Sequence, residues 1–332
     1  MTDIIIADRT SKTFRQRRRY PGVLGSMRGL FSPEYAEIKA VAEISFAIGA
    51  GEAVGYLGPN GAGKSTMIKM MTGILVPSSG GVSVLGRVPH RDRIANAREI
   101  GVVFGQRSQL WWDLPVRDSF ELSRHIYRIA QSRFDENLSM LCDMLGISSF
   151  LDRPVRQLSL GQRMRAEIAM SLLHDPKILF LDEPTIGLDV LAKDVVRKFL
   201  SQINKERGVT IILTTHDLQD IEQICPRLIM VDDGKLLFDG ELTKLRTAFG
   251  ARRRLTLEFK SDPGDVLLSC ATSVASEGMT RHFLLDNDKT SLVEVLTELG
   301  NGYDLHDVSL DAPDIEEVIR TYYQNRLTVE TA

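Results

Sequence analysis

The sequence is poor in cysteine, with only Cys142, Cys225 and Cys270 among its 332 residues. Their wide spacing excludes a disulfide framework and the close cysteine pairs of zinc sites, so we expect reduced thiols. The chain also lacks any apolar run near the roughly 20 residues that span a bilayer. Residues 1–8 carry no basic segment ahead of a short apolar run, so we predict no signal peptide and a cytosolic location.

No internal repeat or low-complexity tract is present, and neither sign of charge dominates, since 41 Lys and Arg stand against 44 Asp and Glu. This balance hides an asymmetry along the chain. Residues 255–332 contain 5 basic and 15 acidic residues, so residues 1–254 hold the other 36 and 29. We therefore expect two distinct parts, of which the first is better suited to meet phosphates or a membrane surface.

Residues 58–65 match the phosphate-loop pattern G-x-x-x-x-G-K-[ST] at every fixed position. The apolar run 53–57 predicts a buried strand before the loop, and residues 64–72 predict a helix after it. Glycines let successive backbone N–H groups point at phosphate oxygens, and the helix N-terminus adds partial positive charge there. The Lys64 ammonium can reach the β- and γ-phosphates, and the Ser65 hydroxyl can bind Mg²⁺. The predicted nucleotide-binding residues here are Gly58, Pro59, Asn60, Gly61, Ala62, Gly63, Lys64, Ser65 and Thr66.

A second segment, residues 178–183, has four apolar residues followed by Asp182 and Glu183. A buried strand would carry Asp182 to its exposed end, where the carboxylate can hold Mg²⁺ directly or through water. Glu183 follows directly, in position to polarise an attacking water. The two segments together indicate a nucleotide-hydrolysing protein that uses Mg²⁺.

Together with these two segments, further motifs make the chain resemble the ATP-binding subunits of ABC transporters over about residues 1–245. Leu158-Ser159-Leu160-Gly161-Gln162 is similar to the family signature Leu-Ser-Gly-Gly-Gln, which binds the γ-phosphate of ATP held by the opposite subunit. It departs from that signature at Leu160. The resemblance implies that Ser159, Gly161 and Gln162 contact nucleotide across a dimer.

Three further matches follow from the same resemblance. Gln106 falls where the family has a glutamine that senses Mg²⁺, takes part in catalysis and links to the permease. Gly187-Leu188-Asp189 is similar to the loop that crosses the dimer interface, which implies a nucleotide-side role for Asp189. His216 is similar to the switch histidine that contacts the γ-phosphate.

The family also stacks an aromatic ring on adenine. Ser11-Lys12-Thr13-Phe14 resembles the strand end that carries this ring, so Phe14 is the candidate. Tyr20 and Tyr35 remain alternatives, because a long insertion separates Phe14 from the next predicted strand.

The expected fold is α/β: a phosphate-loop ABC ATPase core with a helical subdomain and an antiparallel β subdomain, plus a small C-terminal α+β domain. The ATPase domain should cover residues 1–250, with an insertion at about 15–38 and the helical subdomain at about 107–165. The C-terminal domain should cover 251–332. Besides the strands named above, the expected strands are Asp3–Ala7, Ala40–Ile48, 82–85, 99–104, Val209–Thr214, Leu228–Val231, Lys235–Asp239, Leu255–Phe259, His282–Leu285 and Tyr303–Leu310. Helical patterns dominate 117–147, and further helices are expected at 164–174, Lys193–Glu206, Leu218–Ile224, Ser291–Leu299 and Pro313–Asn325.

Two segments bear on the branch of the family. Tyr20-Pro21 and Leu24–Phe31 in the insertion resemble the amphipathic insertion of polysaccharide-exporting subunits, and their mixture of Arg with apolar residues suits an anionic membrane surface. An ordinary solvated loop is the alternative. The stretch Asp307–Val318 is similar to the C-terminal ends of drug-exporting subunits, which favours that branch.

The resulting expectation is an ATPase subunit that powers an exporter. Its partners would be a separate membrane permease and a second ATP-binding subunit, in a homodimer, on the cytoplasmic side of the membrane as a peripheral protein, with no nucleic acid. A polysaccharide exporter, an importer and a non-transport ABC ATPase are the alternatives. A single phosphate loop argues against ribosomal factors, and the lack of a coiled coil between 64 and 161 argues against DNA-repair clamps. Trp111 and Trp112 contact either the permease or the helical subdomain.

Overall fold

The computed structural model describes residues 2–17, 35–105, 108–248, 253–285, 290–311 and 319. The chain divides into two compact units, Met1–Leu242 and Thr243–Ala332. The strands are β1 (Asp3–Arg17), β2 (Tyr35–Gly49), β3 (Ala53–Leu57), β4 (Ser79–Val84), β5 (Ile100–Phe104), β6 (Ile178–Asp182), β7 (Thr210–Thr214), β8 (Arg227–Asp232), β9 (Lys235–Glu241), β10 (Arg254–Phe259), β11 (Ala271–Glu277), β12 (Thr280–Leu285) and β13 (Leu305–Asp311).

The α-helices of the described residues lie between these strands and after them. They are α1 (Lys64–Met71), α2 (Arg93–Glu99), α3 (Val116–Tyr127), α4 (Gln131–Leu145), α5 (Leu160–Leu172), α6 (Val190–Arg207), α7 (Leu218–Ile224), α8 (Leu242–Ala248) and α9 (Leu292–Leu299). Short 3₁₀ turns occupy Ser148–Phe150, Val155–Gln157 and Gly300–Gly302. None of the described helices has the length and apolar character needed to cross a membrane.

The first unit contains two sheets. The larger has the order β5-β6-β7-β3-β8-β9, in which only β9 runs antiparallel to its neighbour. Its central strands are apolar on both faces because helices cover a parallel sheet on both sides. The smaller antiparallel sheet has the order β2-β1-β4. Both sheets contribute to one core that includes Ile5, Ile44, Tyr56, Phe180 and Ile229.

Two helices, α3 and α4, and the first two 3₁₀ turns form the helical part between β5 and α5. The region 117–147, where helical patterns were expected to dominate, contains two helices, because Arg128 takes a left-handed conformation, φ 56°, and closes α3. Glycine at 146 closes α4 in the same way. Helix α5 begins four residues before the expected 164, since Ser159 caps it.

The second unit has a four-stranded antiparallel sheet of order β11-β12-β10-β13 with α9 against it. Its core contains Leu257, Phe259, Phe283 and Val295. The expected α/β core, antiparallel β subdomain and C-terminal sheet are thus confirmed. Strand β11 was not predicted, and residues 312–318 and most of the expected helix Pro313–Asn325 lie outside the described residues.

Strands β1 and β2 are longer than the expected Asp3–Ala7 and Ala40–Ile48. Each has 15 residues, and they pair as far as Arg17 opposite Tyr35. The two ends of the expected insertion are therefore a two-stranded ribbon, and Arg15 forms an ion pair of 3.2 Å with Glu37 across it. The predicted strands were too short because charged and apolar residues occur on both faces of the ribbon. The sequence therefore shows no alternation of polar and apolar residues there. Residues 18–34 of the insertion, which include Tyr20, lie outside the described residues.

Candidate nucleotide site

The phosphate loop links β3 to α1, as the sequence predicts. Gly63 has φ 95° just before the helix, and Gly61 has φ 90°. A Cβ atom on Gly63 would lie 2.1 Å from the Ala40 carbonyl oxygen, and one on Gly58 would lie 2.3 Å from that of Val231. Gly63 is required for both its positive φ and its closeness to neighbouring backbone, whereas Gly58 is required for the closeness alone and Gly61 for its positive φ alone. Of the remaining loop residues, Pro59 and Asn60 are exposed, Ala62 is buried and Thr66 is half-buried.

Lys64 is buried at the start of α1, with its side chain folded over the loop. Its ammonium group donates to the carbonyl oxygens of Gly58, at 2.6 Å, and Pro59, at 3.1 Å. Burial lowers the pKa of this ammonium group, and the carboxylates of Glu183 and Asp182 oppose the shift. The Lys64 ammonium group is thus held in the loop, where the phosphate oxygens of a nucleotide would bind.

Asp182 occupies the carboxyl end of β6, where the register places it beside Phe104 of β5 and Thr214 of β7. Its Oδ1 accepts hydrogen bonds from the hydroxyls of Ser65, at 3.1 Å, and Thr214, at 2.6 Å. The hydrogen bond between Asp182 and Ser65 therefore connects the end of β6 to the start of α1. Thr214 was not predicted, although it ends a buried apolar strand that the sequence did indicate.

Glu183 follows Asp182 with φ 56°, a left-handed conformation that is uncommon for a residue with a side chain. Its backbone N–H donates to the Thr214 carbonyl at 2.9 Å, which holds the turn after β6. A Cβ on neighbouring Gly105 would lie 2.5 Å from the Glu183 carbonyl oxygen, so Gly105 leaves room for this turn. The Glu183 carboxylate lies 3.8 Å from Nδ1 of His216, which is largely exposed.

A cavity of about 560 Å³ lies at this edge of the sheet. It is lined by polar side chains from the loop, from α1 and from the end of β6, together with apolar residues and Gly105: Asn60, Ser65, Lys69, Asp182, Glu183, Ile74, Phe104, Gly105 and Ile186. Oxygen atoms of Ser65 and Asp182, the ammonium group of Lys69 and the carboxylate of Glu183 therefore lie on one concave surface. Such a surface can hold the phosphates of a nucleotide and activate a water molecule beside them.

The candidate aromatic Phe14 lies on β1 opposite Ile38 of β2, and the two side chains share one face of the ribbon. Lys12 lies on that face too, with Nζ 5.4 Å from the centre of the Phe14 ring. Opposite Lys12 is Val41, whose Cγ2 would be 3.2 Å from a Cβ on Gly63. Phe14 therefore faces the phosphate-loop side.

Tyr35 lies opposite Arg17, an odd number of residues along the ribbon from Phe14 and Ile38. In a regular antiparallel ribbon, successive side chains point to opposite faces, so Tyr35 points away from the phosphate-loop side. The register thus favours Phe14 over Tyr35 as an adenine platform. The third alternative, Tyr20, lies outside the described residues.

Ser159 is the N-cap of α5. Its hydroxyl accepts from the N–H of Gln162 at 3.2 Å, and the Gln162 side chain accepts from the N–H of Ser159 at 3.0 Å. A Cβ on Gly161 would lie 2.8 Å from Cβ of Ala192 on α6, so this glycine also permits close helix packing. The lining of the cavity, in the part of the chain that the structure describes, includes none of these three residues.

Leu160, the departure from the family signature, lies against the loop before α6. Its Cδ2 would be 3.0 Å from a Cβ on Gly187. Asp189 in the same loop caps α6 by accepting the Ala192 N–H at 2.8 Å. Val190 and Leu191 follow with 80% of each side chain exposed. Three exposed apolar side chains, Leu160, Val190 and Leu191, thus lie in or near the signature on this chain.

Gln106 lies outside the described residues, but the chain on either side of it is held. Before it, Gly105 donates to the Asp182 carbonyl at 2.8 Å. After it, buried Glu167 of α5 accepts from the Ser108 hydroxyl and from the N–H of Gln109 at 3.0 and 3.1 Å. Burial raises the pKa of the Glu167 carboxyl, and these hydrogen bonds oppose the shift. Sequence reasoning missed Glu167, because a single acid in an apolar helix has no distinctive pattern.

None of the three cysteines, all within the described residues, forms a disulfide: Cys142 and Cys225 are buried, and Cys270 is partly exposed. Trp111 and Trp112, by contrast, are 56% and 54% exposed. Packing within the helical subdomain therefore leaves more than half of each ring uncovered.

The fold and the site define a phosphate-loop ATPase, and comparisons with known proteins identify its family. The sequence pattern described as "ABC transporter" matches residues 41–186. The ABC transporter ATP-binding protein NatA of Bacillus subtilis is 32% identical over 215 residues, which cover 65% of this chain and 87% of that protein. The chain therefore belongs to the ATP-binding subunits of ABC transporters, and it hydrolyses ATP to energise transport.

Other relatives differ in what their names say they do. The Nod factor export ATP-binding protein I of Sinorhizobium fredii is 37% identical over 210 residues, which cover 63% of this chain and 60% of that protein. The methionine import ATP-binding protein MetN 2 of Bacillus licheniformis is 28% identical over 303 residues, 90% of this chain and 84% of that protein. Among solved structures, the dimeric post-hydrolysis state of the cassette MJ0796 bound to ADP and Pi gives a TM-score of 0.60 at 26% identity, covering 72% of this chain and 98% of that one.

Proposed function

We propose that this chain is the ATPase subunit of an exporter and that Glu183 is its general base. The observation that carries the assignment of the base is the turn after β6, which brings Glu183 into the same cavity as Ser65 and Asp182. A carboxylate there can accept a proton from the water that attacks the γ-phosphate. His216, 3.8 Å from Glu183, can donate to the same phosphate or orient the base.

The remaining residues bind and orient the triphosphate. Backbone N–H groups of Gly58 and of residues 60–66 would surround the phosphates at the start of α1, and Lys64 would neutralise the β- and γ-phosphates. In exchange, the Lys64 ammonium gives up its hydrogen bonds to the Gly58 and Pro59 carbonyls. Stacking of adenine on Phe14 would then fix the other end of the nucleotide.

Ser65 and Asp182 fit a magnesium ion. Mg²⁺ prefers oxygen ligands in an octahedron at about 2.1 Å, so neighbouring ligands lie about 3 Å apart. The hydroxyl of Ser65 and the carboxylate of Asp182 are 3.1 Å apart. When bound, the ion would offset charge on the β- and γ-phosphates. Gln106 is proposed as a further ligand from the resemblance alone.

The proposed working unit is a pair of such chains, in which the second supplies Ser159, Gly161, Gln162 and Asp189 to the nucleotide. Two observations support it. The capped N-terminus of α5 has N–H groups suited to a phosphate, yet it does not line the cavity of its own chain among the described residues. The exposed Val190 and Leu191 beside it are suited to burial against a second chain.

The proposed partner in the membrane is a separate permease. Exposed Trp111 and Trp112 follow Gln106 closely in sequence, and large exposed aromatic side chains are enriched at protein interfaces. Export is supported by the relative named for Nod factor export and by the likeness of residues 307–318 to drug-exporting subunits. We place the protein on the cytoplasmic side of the membrane as a peripheral subunit.

An importer is the second candidate, because the methionine import relative aligns over 90% of this chain, including its C-terminal unit. Transport by the chain and its permease in sealed vesicles separates the two. An exporter moves substrate away from the side that hydrolyses ATP, whereas an importer moves it towards that side. Uptake towards the ATP side would reject the export proposal.

The test of the base is Glu183→Gln, which keeps the shape of the side chain and removes its basicity. We expect turnover to fall by about 10²- to 10⁴-fold with ATP binding retained. Because ATP then stays bound, the variant should also accumulate as a dimer, measured by light scattering with and without ATP. Glu206→Gln, an exposed glutamate on α6, is the matched control and should keep normal turnover. Near-normal hydrolysis by Glu183→Gln would reject Glu183 as the base.

We also propose that the insertion contacts the cytosolic membrane surface. Arg15 and Arg17 lie at the end of the ribbon that carries it, and Arg15 forms an ion pair with Glu37. Each arginine near an anionic surface contributes about 1 kcal/mol, less at high salt. Replacing Arg15, Arg17, Arg18 and Arg19 by Gln should weaken binding to vesicles that contain phosphatidylserine and leave turnover unchanged. Equal vesicle binding by both proteins at low salt would leave the segment as a solvated loop.

A further inference from the structure

A fully buried carboxylate, Asp220 of α7, lies behind the nucleotide site and has no part in the chemistry described above. Its Oδ2 accepts hydrogen bonds from the hydroxyl of Thr185 and from that of Thr215, the latter at 2.8 Å. Its Oδ1 accepts from Nε of Arg197 on α6 at 2.6 Å. Both threonines are buried as well, so these hydrogen bonds are shielded from water.

The two threonines belong to the two loops that carry the proposed catalytic pair. Thr185 follows Glu183 by two residues, and Thr215 directly precedes His216. One oxygen atom therefore joins the loop after β6 to the loop after β7. Each hydroxyl is at most two residues along the chain from a proposed catalytic side chain. A displacement of Asp220 should therefore displace both Glu183 and His216.

The surroundings of Asp220 fix its own position. Arg197 is nearly buried, and besides Asp220 it reaches Asp217 at 2.9 Å; Lys193 also binds Asp217 at 2.6 Å. Two cations thus face two carboxylates, which limits the cost of burying the charges. Apolar residues of similar size often stabilise a protein as well as a buried ion pair does, so stability alone is a weak reason for this cluster. Unlike apolar packing, this cluster holds its residues through hydrogen bonds of fixed direction.

We propose that Asp220 is a positioning residue for hydrolysis, which holds Glu183 and His216 at their working separation through Thr185 and Thr215. The inference rests on the proposed roles of Glu183 and His216. It assigns Asp220 no contact with nucleotide. Its effect should fall on the chemical step and not on the binding of ATP, because the phosphate loop has no bond to this cluster among the described residues.

The experiment compares two substitutions at each threonine in the full-length chain. Thr185→Val and Thr215→Val keep the shape and remove the hydroxyl, whereas Thr185→Ser and Thr215→Ser keep the hydroxyl. We expect each valine variant to lower kcat by about 10- to 100-fold, because small displacements of catalytic groups have effects of that size. KM for ATP should stay within about twofold. The serine variants should keep most of the wild-type kcat.

The double valine variant adds a second criterion. Because both hydroxyls act through the same oxygen of Asp220, the loss of kcat in the double variant should be smaller than the product of the two single losses. Independent roles for the two threonines would give the full product and overturn the proposal. Wild-type kcat in the valine variants, or an equal loss in the serine and valine variants, would overturn it too.

Thermal unfolding and Glu183→Gln complete the comparison. A merely structural role would lower Tm and leave the kcat of the folded protein unchanged, which contradicts the proposal. If Glu183→Gln loses turnover and the valine variants do not, only the positioning role fails. If Glu183→Gln keeps turnover, the base assignment fails and the positioning role falls with it.

Discussion

Replacement of Phe14 by Ala tests which aromatic ring meets the base of the nucleotide. The ring lies on the phosphate-loop face of the ribbon and is 38% exposed, so one side of it remains open for stacking. Tyr35 lies on the opposite face and is 57% exposed. Tyr35→Ala is therefore a matched control, since it removes an exposed aromatic from the same ribbon without touching the proposed nucleotide side.

The magnitude follows from the loss of one stacking partner. Stacking of a base on an aromatic side chain contributes about 1–3 kcal/mol by alanine substitution. The Kd for ATP should therefore rise about 5- to 150-fold in Phe14→Ala. Phe14→Trp retains a ring face and should bind within a few fold of the wild type. Tyr35→Ala should leave Kd unchanged, because Tyr35 and Phe14 are on opposite faces.

Calorimetric titration with ATP and with inorganic tripolyphosphate separates stacking from damage to the phosphate loop. Only ATP has a base, so the affinity for tripolyphosphate should be the same in wild type and Phe14→Ala. An equal loss for both ligands would mean that the substitution disturbs the loop. Weaker ATP binding by Tyr35→Ala than by Phe14→Ala would show that Tyr35, and not Phe14, lies on the nucleotide side of the ribbon.

Two further predictions concern the glycines of the loop and the buried Glu167. Gly63→Ala should destabilise more than Gly61→Ala and abolish ATP binding: both have positive φ, which costs about 1–2 kcal/mol with a side chain, but only Gly63 has backbone within 2.1 Å of the new Cβ. Urea unfolding and ATP titration of the pair measure both effects. Because the folded-state pKa of Glu167 is raised, its stabilising contribution is present below the ordinary pKa and is lost as pH rises through the folded pKa. The unfolding free energy of the wild type relative to Glu167→Gln should therefore fall from pH 4 towards neutral pH, and a constant difference would contradict the raised pKa.

Much of the nucleotide site could be predicted because its residues follow buried strands in sequence. Strands of a parallel sheet covered on both sides are continuous apolar runs, and 53–57, 178–181 and 209–214 are such runs. The residue after a run is then at the carboxyl edge, where ligands of open α/β sheets bind. Lys64, Asp182 and Glu183 were predicted from motifs that follow two of these runs, whereas the role of His216 was predicted only from the resemblance to the ABC family.

The contacts of these residues could not be predicted in the same way. Thr214 binds Asp182, and Asp220 binds Thr185, because β6 lies beside β7 and α7 packs against the loops that follow them. Strand order is a property of the whole sheet, and no local pattern of residues encodes it. The sequence therefore indicated Asp182, the proposed ligand of Mg²⁺, but not Asp220, which binds the two loops.

The signature segment shows that a motif residue can have a structural role as well as a functional one. Ser159 and Gln162 form a reciprocal cap that satisfies N–H groups at the start of α5, and Gly161 allows α5 to approach Ala192 closely. These local roles would select the same residue types without any nucleotide. Conversely, a cap of this kind leaves further N–H groups of the first helical turn directed outward, which is what a phosphate from a second chain requires. The fold of one chain therefore already presents the N–H groups that the proposed dimer would use. A substitution of Ser159 could lower activity either by removing contact with the phosphate or by removing the helix cap, and an experiment must distinguish the two. Ser159→Asp makes that separation, because Asp is an equally good cap but places a negative charge where the phosphate would bind.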